Sequence, residues 1–150
     1  MKLFTSKKNR GHIIIIGCGR LGANLANTLS DDEKSIVIID KNKDSFRKLS
    51  SSFGGIILTG DATEISVLSE AEIEKTTAVI SVTNNDNTNI MVAQLAKELF
   101  QIGQVVARLY DPERECVYRE FNIDTICPAV LSTKEIDKLL DASEEMEGVV

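Results

Sequence analysis

Four consecutive isoleucines lead into a group of closely spaced glycines near the start of the chain. Residues 13–16 are all Ile, and Gly17, Gly19 and Gly22 then complete the pattern G-x-G-x-x-G. A run of β-branched residues is typical of a strand buried on both faces. The apolar residues that follow recur at helical spacing: Leu21, Leu25, Ala26 and Leu29. The stretch therefore predicts a strand, a tight turn and a helix, the context in which this glycine pattern indicates a nucleotide site.

The three glycines have different expected roles in that turn. Gly17 permits the tight turn, and Gly19 lets the backbone approach the phosphates of a ligand without a Cβ in the way. Gly22 lets the helix pack closely on the strand. The N–H groups at the start of the helix carry a partial positive charge, which favours an anion there. We therefore expect the whole segment 17–22 to belong to the cofactor site, the alternative being a tight turn with an empty or vestigial pocket.

The residues between the glycines, Cys18, Arg20 and Leu21, are included in this expected site. Arg20 faces whatever anion occupies the turn, so we expect a phosphate contact, with a solvated arginine as the alternative. For Cys18, small size explains the residue better than redox sensing does. Leu21 opens the apolar stripe of the helix.

A second apolar run, at 36–39, ends at Asp40, which lies 18 residues after Gly22. This spacing is close to the ~20 residues typical of a carboxylate that binds a ribose. A carboxylate accepts hydrogen bonds from both ribose hydroxyls and repels a 2′-phosphate, so Asp40 favours NAD, ADP, ATP or AMP over NADP. Lys41 follows directly and is a cation that could receive a 2′-phosphate. The alternative for Asp40 is an exposed acid at the start of a loop.

Six apolar runs alternate with helical patterns along the chain: 13–16, 36–39, 56–58, 78–82, 105–109 and 124–127. Such alternation predicts an α/β fold in which a parallel sheet has helices on both faces. The doubly wound, Rossmann-type logic gives the strand order 3-2-1-4-5-6. We divide the chain into a basic arm (1–10), a nucleotide-binding domain (11–131) and a C-terminal helix with an acidic tail (132–150).

Capping signals predict where several helices begin. Asn42, Thr63 and Asp111 are the expected N-caps of three of them, the last followed by Pro112 at the first helical position. Ser132 and Glu135 fit a capping box that opens the last helix. Two further expectations concern helix ends. Gly103 ends the helix that follows the fourth predicted strand, and the acidic tail from Ser143 frays.

Further polar residues follow the other predicted strands, namely Gly60, Asp61 and Ala62, then Thr83 and Asn84, and finally Arg108. Ligands of open parallel sheets bind outside the carboxyl ends of the strands. We therefore expect all six residues near the cofactor.

Two of these residues have alternative interpretations. Asp61 either accepts a hydrogen bond from an adenine amine or makes an Asx turn ahead of a helix. Arg108 either reaches a phosphate or pairs with an acid such as Asp111.

Composition narrows the possible functions. The net charge of −6 argues against nucleic-acid binding. Three scattered cysteines without a C-x-x-C are typical of reduced thiols in a cytoplasmic protein. His12, the one histidine, precedes the first strand and lies away from the expected site. We find no catalytic triad and no metal-ligand cluster in the sequence, so we predict neither catalytic nor metal-binding residues.

The ordered set of these segments resembles the RCK (KTN, Trk-type) domains, which regulate potassium channels and transporters. The resemblance extends over roughly residues 11 to 140. Its most specific parts are Gly-Asp-Ala-Thr at 60–63 and the polar turn Thr-Asn-Asn-Asp-Asn-Thr-Asn at 83–89. The other matching segments are 13–26, Asp40, 107–112 and 123–128.

The resemblance implies a cytoplasmic regulatory subunit, peripheral to the membrane through a potassium channel or transporter partner. It implies NAD(H) or adenine nucleotides as ligands, with phosphate at the glycine turn and Arg20, ribose at Asp40, and adenine at Asp61 and Ala62. Family members assemble as dimers, tetramers or rings, and a C-terminal helix crosses to the neighbouring subunit. The alternatives are the NAD-binding half of a dehydrogenase or reductase and a redox-sensing DNA regulator, the latter disfavoured by the acidic charge.

Overall fold

Six parallel strands form one sheet in the computed structural model, which describes residues 11–148. The spatial order is β3-β2-β1-β4-β5-β6, so the predicted topology is confirmed. The basic arm predicted at 1–10 lies outside the described residues. The strands are β1 (Ile13–Ile16), β2 (Ile36–Asp40), β3 (Ile56–Thr59), β4 (Ala78–Ser81), β5 (Gln104–Arg108) and β6 (Asp124–Ile126).

Helices connect the strands and cover both faces of the sheet. The α-helices are α1 (Arg20–Asp31), α2 (Ile65–Glu70), α3 (Asp86–Gln94), α4 (Glu115–Glu120) and α5 (Pro128–Glu147). The 3₁₀ turns are Lys43–Lys48, Ile73–Lys75 and Pro112–Arg114, and one π-helical turn, Leu95–Leu99, extends α3.

Alternate side chains of the central strands point to opposite faces and enter two separate apolar clusters. Ile14 of β1 packs in the cluster that contains residues of α2, α3 and α4. Ile15 packs in the other cluster, with Ala23 and Ala26 of α1. Both isoleucines are fully buried, because β1 lies in the middle of the sheet with helices on either side.

The start predicted for the last helix is wrong. Helix α5 begins at Pro128, with Cys127 as its N-cap, so Ser132 and Glu135 lie inside the helix and form no capping box. Proline suits the first helical position because its φ is fixed near the helical value and its missing N–H would have no helical partner there. Pro128 therefore both ends β6 and starts α5. The expected fraying from Ser143 is also wrong, since α5 continues to Glu147.

The other capping predictions have mixed outcomes. The side chains of Asn42 and Asp111 do accept capping hydrogen bonds, although the turns that they cap are 3₁₀ and not α-helical at their start. Thr63 is not a cap, because α2 begins after Glu64 and the Thr63 hydroxyl donates to Asp61. The helical segment after β4 ends at Leu99, before Gly103.

Helix α5 has no buried residue, although it carries large apolar side chains. Leu131, Ile136, Leu139 and Leu140 are each more than half exposed. Within residues 11–148, no helix has the length and apolar character needed to cross a membrane.

Candidate functional site

The glycine turn connects β1 to α1 and is shaped by two different constraints. Gly17 has φ +100°, a backbone conformation that residues with a Cβ rarely adopt. A Cβ on Gly22 would overlap the carbonyl oxygen of Gly17, so only glycine lets the helix approach so closely. A Cβ on Gly19, by contrast, would meet no protein atom within 4 Å. The space above Gly19 is therefore left open by the protein.

The first turn of α1 faces that open space with unpaired donors. Gly19 is the N-cap and supplies no side chain, and the first helical hydrogen bond runs from the Ala23 N–H to the Gly19 carbonyl oxygen, 2.9 Å. The N–H groups of residues 20–22 precede this bond and have no helical partner. Such a helix start, free of a capping side chain, can bind an anion.

Asp40, at the end of β2, is oriented by two backbone N–H groups. Its Oδ2 accepts from the N–H of Cys18 at 2.8 Å, and its Oδ1 accepts from the N–H of Asn42 at 2.8 Å. The carboxylate is thereby fixed against the glycine turn. Burial, and then the nearby Asp40 charge, raises the pKa of the Cys18 thiol, which keeps that thiol protonated near neutral pH.

A cleft of about 350 Å³ opens at the carboxyl ends of the central strands. Nine of the predicted site residues line it: Gly17, Gly19, Asp40, Lys41, Gly60, Asp61, Ala62, Thr83 and Asn84. The turn from each of β1 to β4 contributes to this first cleft, because parallel strands end at the same edge of the sheet.

Asp61 makes the Asx turn that was one of its two expected roles. Its Oδ1 accepts from the backbone N–H of Thr63 at 2.9 Å and from the Thr63 hydroxyl at 2.6 Å. These two hydrogen bonds, the one from the hydroxyl having the larger effect, lower the pKa of Asp61. The Asp61 carboxylate therefore stays ionised in acidic solution. Its Oδ2 lies 3.4 Å from the Lys41 Nζ, and both side chains line the first cleft.

Asn89 of α3 connects the ends of β4 and β5 through hydrogen bonds of its side chain. It is fully buried. Its Oδ1 accepts from the Ser81 hydroxyl and from both the N–H and the hydroxyl of Thr83, at 2.7–3.1 Å. Its Nδ2 donates to the carbonyl oxygens of Thr83 and Arg108, at 3.0 and 3.1 Å. Asn89 therefore fixes Thr83, a cleft residue, and the end of β5 with a single amide.

A second cleft, of about 580 Å³, adjoins the first and shares Gly19, Lys48 and Asn84 with it. Its lining includes three cationic side chains, Arg20, Lys48 and Arg108, and the predicted residue Leu21. The rest of the lining comes from Ile126 and from the start of α5, at Pro128, Leu131 and Ser132.

The alternative that pairs Arg108 with Asp111 is wrong. Asp111 lies 4.0 Å from Arg114 and accepts from the backbone N–H of Glu113, and no ion pair of Arg108 is found within residues 11–148. Arg108 instead lines the second cleft, which keeps its phosphate role as a prediction.

Two predicted residues line neither cleft, and several lining residues were not predicted. Cys18 and Gly22 act through the backbone: Cys18 donates to Asp40, and Gly22 permits the close packing of α1. Lys48 was missed, although its Nζ reaches the Cys18 carbonyl oxygen at 3.5 Å. The other lining residues of the first cleft that sequence reasoning missed are Ile16, Ile39, Ser45, Val82, Asn85 and Thr88.

His12 lies at the opposite end of the sheet, as predicted. Its Nε2 is 2.8 Å from the Ala71 carbonyl oxygen and 2.9 Å from the Thr76 hydroxyl. Both contacts are with the segment that precedes β4, so the imidazole is engaged in the packing of the amino end of the sheet.

The order of the parallel strands and the glycine turn after β1 define a Rossmann-type domain. Residues 13–128 match the model of the TrkA-N domain, and the chain belongs to this family. The Trk system potassium uptake protein TrkA of Streptomyces coelicolor is 44% identical over 115 residues, which make up 77% of this chain and 52% of that protein. A TrkA homolog of Pyrococcus horikoshii is 30% identical over 126 residues, or 83% of this chain and 55% of that protein. The chain thus spans about half the length of these relatives.

Solved structures share the fold at low sequence identity. The TrkA-N domain of the inner membrane protein ybaL from Escherichia coli has a TM-score of 0.78 and 18% identity, covering 87% of this chain and 96% of that one. The Kef CTD of Shewanella denitrificans in its AMP-bound form has a TM-score of 0.68 and 20% identity, covering 86% of this chain and 80% of that one. GsuK bound to ADP has a TM-score of 0.66 and 21% identity, covering 79% of this chain and 31% of that one.

Proposed function

We propose that this domain binds NAD(H) or an adenine nucleotide and thereby regulates a potassium transport system. The observation that carries the proposal is the cleft that joins the open backbone at Gly19, the free start of α1 and the oriented carboxylate of Asp40. These three features match the phosphate and ribose contacts of a nucleotide bound at a parallel sheet. The solved relatives of the same fold are bound to ADP in GsuK and to AMP in Kef, which supports this class of ligand.

Each part of the nucleotide has a counterpart in the two clefts. The phosphates lie over Gly19 at the start of α1, with Arg20 beside them. The ribose hydroxyls donate to Asp40, and the adenine lies toward Asp61 and Ala62 in the first cleft. A longer ligand extends into the second cleft, where the cations of Arg20, Lys48 and Arg108 favour an anionic group.

The negative charge of Asp40 disfavours a ligand with a 2′-phosphate, so NADP is less favoured than NAD. We propose a regulatory and not a catalytic role, with no catalytic residue and no metal in the site. No cluster of three or more metal-ligating side chains occurs within residues 11–148, and His12 is engaged at the far end of the sheet.

Regulation requires a partner and two conformations that the ligand distinguishes. The relatives named as potassium uptake proteins support a membrane channel or transporter subunit as the partner. We propose that this domain lies on the cytoplasmic side of that subunit. A nucleotide shifts the equilibrium between two states only by the difference in its affinity for them. Exchange of one nucleotide for another is therefore the proposed signal.

The nucleotide proposal is tested by thermal unfolding of the purified chain with NAD, NADH, ATP, ADP, AMP and NADPH. A ligand at a hundred times its dissociation constant stabilises a protein by about 2.7 kcal/mol, so the preferred nucleotide should raise the melting temperature clearly.

Calorimetric titration of Asp40→Ala should show an affinity lower by about 1–3 kcal/mol, because hydrogen bonds to a charged group are lost.

The matched control for this measurement is Asp44→Ala. Asp44 is an exposed acid on the 3₁₀ turn after β2, paired only loosely with Arg47, and it lines neither cleft. Equal affinities of the two variants would remove Asp40 from the site, and the absence of any nucleotide binding would refute the proposed function.

We further propose that the chain is a dimer formed through α5. Burial of Ile136, Leu139 and Leu140, which are about 60% exposed, would contribute roughly 1.5–3 kcal/mol for each side chain. A two-fold axis would place the same helix face of two subunits together. Light scattering should therefore show a dimer for the native chain and a monomer for the double variant Ile136→Asp/Leu140→Asp.

Two outcomes would contradict this arrangement. A native chain that is monomeric at tens of micromolar, on the order of a weak-interface dissociation constant, has no such interface. A double variant that remains dimeric would place the interface elsewhere. The substitution pair Glu135→Ala/Asp141→Ala, at exposed polar positions of the same helix, is the control.

A further inference from the structure

Three charged side chains lie together where β2 and β3 end. Asp40 and Lys41 follow each other at the end of β2, and Asp61 follows β3, the neighbouring strand. All three line the first cleft. The charges alternate in sign from the glycine turn outward, as Asp40, Lys41 and Asp61.

Asp40, the last residue of β2, and Lys41, which follows it, make contacts with different segments. Asp40 is bound to the N–H of Cys18 in the glycine turn, 2.8 Å away. Lys41 places its Nζ 3.4 Å from the Asp61 Oδ2.

Asp61 is the fixed member of the ion pair, and Lys41 is the adaptable one. The Oδ1 of Asp61 is held by the N–H and hydroxyl of Thr63, which leaves Oδ2 for the lysine. The Lys41 side chain is 65% exposed, compared with 31% for Asp61. A lysine has a long flexible stem, so the place of its charge depends on the partner that attracts it.

A cation next to a ribose-binding carboxylate is the group that could accept a 2′-phosphate. In this structure that cation is directed to the end of β3, and its charge is compensated there by Asp61. Without the Asp61 charge, Lys41 would be free to turn toward a phosphate on the ribose. Lysine ammonium groups form strong, charge-assisted hydrogen bonds with phosphate.

We propose that Asp61 is a specificity-determining residue, which excludes 2′-phosphorylated nucleotides by engaging Lys41. The inference rests on the proposed function, because it assumes that the ribose lies at Asp40. It assigns the discrimination between NAD and NADP to an ion pair between two strand ends as well as to the charge of Asp40.

The test is calorimetric titration of the purified chain with NAD and NADP, repeated for Asp61→Asn. This substitution keeps an oxygen for the Thr63 bonds and removes the charge. We expect the ratio of the NADP to the NAD dissociation constant to fall roughly fivefold to tenfold, between the effect of an exposed ion pair and that of a hydrogen bond to a charged group. The ratio cancels any contact of Asp61 that both ligands share.

Lys41→Gln separates the proposed mechanism from simple repulsion by Asp61. Since Lys41 is held away from the ribose in the native chain, Lys41→Gln alone should change the ratio by less than about twofold. In the Lys41→Gln background, Asp61→Asn should also have little effect, because the two residues act through each other. A full effect of Asp61→Asn without Lys41 would overturn the inference, as would a selective loss of NADP affinity in Lys41→Gln alone.

The same measurements distinguish the two levels of the proposal. If the native chain binds NAD but Asp61→Asn leaves the ratio unchanged, the specificity role fails and the nucleotide site stands. If the native chain binds none of NAD, NADH, ATP, ADP and AMP, the proposed function fails and the specificity role falls with it.

Discussion

Asn89→Leu should lower the free energy of unfolding by about 3–5 kcal/mol, because one buried amide satisfies polar groups of three residues at the ends of β4 and β5. Leucine has a similar volume but leaves the Ser81 hydroxyl, the Thr83 N–H and the Arg108 carbonyl oxygen without their partner. An unsatisfied buried polar group costs roughly 1–3 kcal/mol. Chemical denaturation of the native chain and the variant measures the difference.

Asn87→Leu is the matched control for this substitution. Asn87 lies two residues earlier on α3 and is exposed, with a single side-chain contact to Arg114. Its replacement should change stability by less than about 0.5 kcal/mol, as is usual for surface positions. If the two leucine variants were equally stable, Asn89 could not be the residue that holds the ends of β4 and β5.

The second large effect is a contrast between two alanine substitutions in the glycine turn. Gly22→Ala should lower stability by about 2–4 kcal/mol or prevent folding, since the added Cβ overlaps the Gly17 carbonyl oxygen and the backbone must move. Gly19→Ala adds the same atom where no protein atom lies within 4 Å. Its φ of −80° is open to alanine, so stability should change by less than about 1 kcal/mol.

Gly19→Ala should weaken nucleotide binding, although it leaves the stability of the fold nearly unchanged. The new methyl group occupies the space proposed for the phosphates, and the affinity should fall about tenfold or more, which corresponds to about 1.4 kcal/mol. Denaturation and calorimetric titration are measured on the same preparations. Native affinity in a stable Gly19→Ala variant would show that the phosphates lie elsewhere.

The sequence predicted the strand order because its signals are local and repeated. The Ile run of β1 and the apolar run ending at Asp40 each indicate a strand buried on both faces of a sheet. The alternation of strands with helices then leaves few possible topologies. Residues of the first cleft could be predicted for a related reason: all parallel strands end at one edge, so a polar residue such as Thr83 after β4 lies near Asp40 after β2.

Features that depend on side-chain reach across the fold could not be predicted. Lys48 approaches the glycine turn because residues 43–48 form a 3₁₀ turn, whose short helical pattern gives no sign of what its lysine contacts. Lys41 was recognised as a cation next to Asp40, but its pairing with Asp61 depends on the register of β2 and β3. Thr63 and Ser132 were assigned as caps from local spacing, but α2 has Glu64 as its N-cap and α5 begins earlier, with Cys127 as its N-cap and Pro128 as its first residue.

Helix α5 starts at the second cleft and has no buried residue along its 20 positions. At 1.5 Å per residue it is about 30 Å long, with Pro128, Leu131 and Ser132 at its base in contact with the cleft. A tilt of about 10° at this base would move the far end by about 5 Å, simply from the length of the helix. A straight helix held only at its start would in this way convert a small displacement at the second cleft into a larger one at its far end.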